Sequence, residues 1–360
     1  MATRVEAPSE RVSVSAYEIP TDEPESDGTF EWDSTTIVVV EVEAGGETGL
    51  GYTYGPKAVA TLVHEQLTPL LTGSDPVRAW PVMGAALRNA GRPGIGSMAI
   101  AAVDIALWDL RARLEERSLL DVLDAPGDVV PLYGSGGFTS YSDERLAEQL
   151  GGWVTDGFPR VKMKIGRDPE RDPSRLDVAR RAVGDAELFV DANGAYDRGE
   201  ALSWADRLAD WDVRWFKEPV TSDDPEGLRA VKERTRIDVA AGEYVYTLAD
   251  ARTLVRAGAV DCLQADVTRC GGITGFLHVA GLAREHGLEV SGHCAPQVSA
   301  HACAAIPNLR HLEWFHDHVR IERMLFDGAL DPENGALRPD RSRPGHGLEL
   351  KRVEAERHAA

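Results

Sequence analysis

The feature that most constrains this chain is a change of rhythm at Val129. From there to Trp314, short apolar runs alternate with amphipathic stretches of helical period. The eight runs are 130–133, 160–165, 188–191, 213–216, 238–241, 261–265, 289–291 and 311–314. Each of the first seven precedes a segment that reads as a helix. Apolar runs of this length with helical crossovers read as parallel strands buried on both faces, because a parallel pair needs a long return connection. Eight strands fit a closed TIM-type barrel better than an open doubly wound sheet, and no glycine-rich nucleotide fingerprint follows any of them. The expected fold class is α/β, a modified (β/α)7β barrel.

A different pattern precedes it. Segments 11–16, 36–43 and 48–54 read as strands around a polar, acidic loop at 21–34, and helical stretches follow near 57–72, 76–90 and 97–115. The last is rich in alanine and carries Ile105, Leu107 and Leu110. This predicts an α+β N-terminal capping domain over 1–125, the barrel over 126–320, and an irregular tail over 321–360, with Pro332, Pro339 and Pro344, that packs back on the capping domain. With 360 residues, 43% of them hydrophobic, both units can bury a core.

The formal net charge of −20 repels nucleic acid and acidic membranes, leaving a small acid bound by a locally cationic site as the anionic partner to expect. No apolar run reaches the ~18 residues of a membrane span, and no signal-peptide pattern opens the chain, so the expected location is cytoplasmic. Cys262, Cys270, Cys294 and Cys303 lack CxxC spacing and read as buried reduced thiols. Lysines number only six, so a cluster of them is informative.

Active sites of such barrels form at the C-terminal ends of the strands. Those ends carry Lys162 and Lys164, Asp191 with Asn193, Lys217 and Glu218, Glu243, Asp266, His293 and Glu313. A barrel interior is normally filled by Val, Ile and Leu, so ionisable residues at successive strand ends point to chemistry. Lys162 and Lys164 are two apart and both face inward. A desolvated lysine beside a second cation is expected to have a lowered pKa and to act as a base. Asp191 and Glu243 offer oxygens suited to a hard cation such as Mg²⁺. Asp266 is placed to hold the His293 tautomer, and Glu313, kept protonated by burial, to donate to a developing oxyanion.

These residues, in this order, resemble the mandelate racemase subgroup of the enolase superfamily, and the resemblance runs from the first strands to the eighth barrel strand. It implies a chemistry of abstracting the proton α to a carboxylate. Lys164 would act on one face of the substrate with Lys162 near its carboxylate, the His293–Asp266 dyad would act on the other, and Glu313 would assist. Asn193, Lys217, Arg269 and His316 are the expected substrate contacts, Arg269 standing where muconate-lactonising relatives carry a catalytic lysine. The loop at 21–34 resembles the family's specificity lid. A homo-oligomer is also implied.

One position departs from the family pattern. The three Mg²⁺ ligands would come from the third, fourth and fifth barrel strands, and Asp191, Lys217 and Glu243 hold the even 26-residue spacing, 217 − 191 = 243 − 217 = 26, with Glu218 one residue late. One residue late on a strand is the opposite face. Either a twist or bulge presents Glu218 to the metal beside Asp191 and Glu243, or Lys217 itself replaces the metal, or the ancestral reaction is lost. The leading expectation is Mg-assisted dehydration of a sugar acid to a 2-keto-3-deoxy acid. The alternatives are racemisation or epimerisation of a 2-hydroxy acid, and a metal-independent or non-catalytic barrel that binds an acid.

Overall fold

A strand's side chains alternate between its two faces, and in the barrel each face has its own chemistry. The computed structural model describes residues 8–72 and 78–360. Eight parallel strands close into a ring: β4 (Val130–Ser135), β5 (Arg160–Lys164), β6 (Glu187–Asp191), β7 (Val213–Lys217), β8 (Asp238–Ala241), β9 (Cys262–Ala265), β10 (Glu289–Gly292) and β11 (Leu309–Phe315), the last pairing with β4. Outward-facing Val161, Met163, Leu188, Val190, Phe216, Val239, Leu263 and Val290 join the helices in one apolar core. Inward, Tyr133, Phe189, Trp215, Ala240 and Cys262 fill the lower barrel. His311 joins that layer and bonds Ser291, while Gln264 bonds the Tyr133 hydroxyl at 2.6 Å. The charged strand ends sit on this packed floor.

The capping domain is an antiparallel sheet of β1 (Arg11–Ser26), β2 (Glu31–Ala44) and β3 (Glu47–Tyr54), backed by a long helix, Ile95–Leu114. The expected loop at 21–34 is mostly strand. After a register shift between Pro20 and Glu25, β1 and β2 pair again at Glu25–Trp32 and Ser26–Glu31, leaving only a tight turn at the tip. Polar composition concealed it: Glu25 and Ser26 are buried by contact with the barrel rather than by an apolar pattern. The expected helix at 57–72 is a continuous helical stretch with a π-helical segment, Val63–Leu67. The one at 76–90 is shorter, Ala79–Ala86, and its expected start lies outside the described residues. No helix among the described residues is long and apolar enough to cross a membrane. The four cysteines are free and buried.

Residues beyond Arg320 contact both units. Leu337 and Ala336 pair with the start of β4, His346 Nε2 bonds the Leu50 carbonyl at 2.7 Å, and the Ala360 amide donates to the Ala16 carbonyl. Between the units lies a buried bond from the Tyr52 hydroxyl of β3 to Glu322 Oε1 at 2.6 Å. Burial drives the Glu322 carboxyl up to about 8, against the lowering effect of its bonds to Tyr52 and Gln297. An unfolded glutamate titrates near ~4.3. With the folded value raised, the stabilising proton is present below the unfolded pKa and is lost as pH rises through about 8. Glu322→Gln keeps an acceptor for Tyr52 and needs no proton. Its melting temperature, compared with the parent's, is expected to gain steadily as pH is raised from ~5 to ~9; a gap that does not change with pH would refute the linkage.

Candidate active site

Strand register sets the charged row. Lys164 lies opposite Asp191 across β5 and β6, and Asp191 opposite Lys217 across β6 and β7. Neighbouring strands are ~4.8 Å apart, so inward side chains at matched positions meet as cation, anion, cation. Asp191 Oδ2 accepts from Lys162 at 2.9 Å, Lys164 at 2.7 Å and Lys217 at 2.9 Å. Lys217 also donates to Glu243 Oε2. Lys164 reaches Asn193 Oδ1 at 2.9 Å. Lys162 pairs with Glu313 Oε1 at 2.5 Å, and the Ser135 hydroxyl donates to the same oxygen at 2.6 Å.

From the far side of the ring comes His293, just beyond the end of β10, which is three strands from β5 on the eight-strand circuit. Its Nδ1 bonds Asp266 Oδ2 at 2.7 Å, while Asp266 Oδ1 accepts from the Thr268 amide and hydroxyl, each at 2.7 Å. That fixes the ring and leaves Nε2 toward the site, 3.3 Å from Glu243 Oε2 and 3.5 Å from Glu313 Oε2. Arg269 Nη1 lies 3.7 Å from Glu243 Oε1.

Charge states follow from these contacts. Burial opposes an ionised Asp191, but Lys162, Lys164 and Lys217 hold it far below the usual carboxylate range. Burial likewise opposes a charged Lys164, yet Asp191 outweighs it and the net shift is upward. The expectation of a lowered Lys164 pKa is therefore reversed in this resting arrangement: the second cation is present, but the shared carboxylate dominates. Glu313 is also corrected. Burial would protonate it, but Lys162 and His293 keep it ionised. His293 is pushed upward, since Cys294, Glu243, Glu313 and the Asp266 bond together outweigh burial. Glu218, raised by burial and by Glu243, sits at about 7.

Above this row is a cavity of about 640 Å³ lined by Lys164, Asn193, Glu243, Arg269, His293 and Glu313, among others. The hairpin lines it from the capping domain, with Asp27, Thr29 and Phe30 of the turn and Trp32, Thr35 and Thr36 of β2. The tip rests directly on the barrel: a Cβ at Gly28 would lie 2.2 Å from the Ala192 carbonyl oxygen, so only glycine permits this seating. His316, expected to touch substrate, instead bonds Asp22 of the hairpin at 2.9 Å, while His318, two residues on, lines the cavity. Lys162, Lys217 and Asp191 are wholly buried beneath the cavity floor. Two participants escaped the sequence reading. Ser135 does so because β4 extends past Tyr133, and Cys294, 3.3 Å from His293 Nε2, because its positive φ of 48° turns it inward against strand alternation.

Residues 145–354 match the enolase C-terminal domain-like model, and residues 18–124 match the N-terminal domain model of mandelate racemase and muconate lactonizing enzyme. The chain belongs to the mandelate racemase/muconate lactonizing enzyme family. It is 34% identical to 3,6-anhydro-α-L-galactonate cycloisomerase of Streptomyces coelicolor over 95% of this chain and 96% of that protein. It is 30% identical to L-talarate/galactarate dehydratase of Salmonella typhimurium over 82% of this chain and 77% of that one. A crystal structure of a mandelate racemase/muconate lactonizing enzyme-like protein from Rubrobacter xylanophilus superposes with a TM-score of 0.96 at 57% identity, over 98% of this chain and 100% of that one. The Salmonella dehydratase, crystallised with Mg and L-lyxarohydroxamate, superposes at 0.92 with 28% identity, over 100% of this chain and 95% of that one. The family thus includes both dehydratases and cycloisomerases, and magnesium is bound in a member.

In this family member the three expected ligands do not fit a magnesium ion. Oxygens of Asp191, Glu218 and Glu243 do not meet within 4.8 Å of one another among the described residues, and the Lys217 ammonium lies between Asp191 and Glu243. Glu218 turns away through a left-handed backbone, φ 41°, to accept from the Ser222 hydroxyl at 2.8 Å. The twist that would bring Glu218 to the metal is absent.

Proposed function

We propose that this family member dehydrates a sugar acid to a 2-keto-3-deoxy acid. The observation that carries the reading is the pair of proton-transfer groups, Lys164 and His293, lining one cavity from strands three apart on the ring. Sugar-acid relatives support the substrate class, and the cavity offers polar side chains, Asn193, Thr35 and Thr36, suited to hydroxyls. Arg269 is the cavity-lining guanidinium that would receive the carboxylate.

The step begins with Lys164 as free amine, its resting ammonium having first passed a proton to water in the cavity that it lines. The C2–H bond then breaks with its proton passing to Lys164 Nζ, and the electrons enter the carboxylate as an enediolate. As these electrons return to form the C2–C3 double bond, the C3–O bond breaks, and His293 Nε2, charged in the resting site, gives its proton to the departing hydroxyl. Water leaves, and the enol becomes the 2-keto acid. The same opening step serves a cycloisomerase, and the Streptomyces relative favours that as the second reading.

The test is incubation with a panel of aldonic, aldaric and anhydro sugar acids, with products resolved by mass. A product lighter by one water and carrying a keto group supports dehydration. An isomer of unchanged mass that carries a new keto group moves the assignment to cycloisomerisation, one without it to epimerisation, and an unchanged panel rejects all three.

A further inference from the structure

The centre of this barrel holds a cation of its own. We propose that the Lys217 ammonium takes the place of the divalent metal as counter-ion to Asp191 and Glu243, so that the site is built and works without a bound metal ion.

Lys217 is the register partner of Asp191 on the neighbouring strand, and its Nζ bonds carboxylate oxygens of both Asp191 and Glu243. A Mg²⁺ ion held by those two carboxylates would need oxygens at ~2.0–2.1 Å in near-octahedral array. The ammonium already fills the space between them. Its side chain is completely buried on the Trp215 layer.

Three carboxylates in the expected ligand positions would total −3, whereas Asp191, Lys217 and Glu243 total −1. Two further lysines bond Asp191, and Arg269 and His293 flank Glu243, so both carboxylates are already matched. An added divalent ion at Asp191 would have to share that carboxylate with three ammonium groups. Glu218 does not fill the gap: its Oε1 accepts from Ser222, and its oxygens do not close with those of Asp191 and Glu243 within 4.8 Å among the described residues.

Lys217 does not reach the cavity, so it is a positioning residue. It keeps Asp191 and Glu243 ionised and in place, and these orient Lys164 and face His293. The negative charge that grows on the substrate carboxylate is met instead by Lys164 and Arg269. This inference concerns the centre itself and stands apart from the substrate assignment: a cation titration reads the one, and the product panel reads the other.

The experiment is calorimetric titration of the metal-stripped protein with Mg²⁺ and with Mn²⁺, beside Lys217→Glu. The natural protein is expected to show no saturable site up to about 1 mM, the weak end of carboxylate cation sites. Lys217→Glu is expected to gain one site, seen as bound Mn²⁺ by electron paramagnetic resonance and as a melting temperature that climbs with metal concentration. A merely structural lysine would not create that signal. One saturable site in the natural protein that disappears in Asp191→Asn overturns the proposal, and this arm remains decisive even if Lys217→Glu fails to fold. Lys217→Glu that folds and binds no metal overturns it as well.

Discussion

His293→Asn is expected to lower kcat by about 10²–10⁴-fold, the usual contribution of a positioned general acid or base, with little change in melting temperature. Asparagine retains a polar side chain beside Asp266 and Thr268 but has no proton to give the departing hydroxyl. The loss should fall on product formation. Exchange of the α-proton with solvent, which the Lys164 side performs, should survive in part, so that exchange outruns dehydration in the variant. Steady-state kinetics together with deuterium uptake measure the two steps separately. Equal loss of both would place His293 in substrate binding instead.

Lys217→Met is expected to destabilise the fold by about 3 kcal/mol at neutral pH, the lower end of the ~3–5 kcal/mol seen when one partner of a buried ion pair is removed. The side chain keeps its length, so packing against the Trp215 layer is nearly conserved and the loss is electrostatic. It lies at the lower end because Asp191 keeps Lys162 and Lys164, and Glu243 keeps Arg269. Denaturant unfolding checks the value, and adding Glu243→Gln should recover part of it. A Met variant as stable as its parent would mean that the two carboxylates never relied on the ammonium.

These effects rest on features that the sequence displayed unequally. The barrel was legible because eight short apolar runs alternate with helical crossovers that separate the strands cleanly. The charged strand ends were legible because Lys162, Asp191, Lys217, His293 and Glu313 stand where Val or Leu is normal. The hairpin at the lid was concealed because its burial comes from polar contacts, such as Ser26 with Thr139 and Trp32 with Glu25, which leave no apolar pattern. Charge states were illegible because they depend on how many neighbours share one carboxylate. Three lysines on a single Asp191 oxygen reverse the shift expected for a lysine beside a lysine. The 26-residue spacing did place Lys217 between Asp191 and Glu243, but only the backbone turn at Glu218 shows that no other carboxylate takes its place.

The central claim is proton abstraction next to a carboxylate in a site that needs no divalent ion. The most direct measurement is proton NMR of the substrate-panel acids in D₂O with the natural protein and excess chelator. The account predicts that at least one sugar acid loses its α-proton signal at a rate the chelator does not change, with a 3-deoxy product appearing afterwards. An acid that binds saturably yet keeps its α-proton indefinitely, or exchange that stops when the chelator is added, would contradict it.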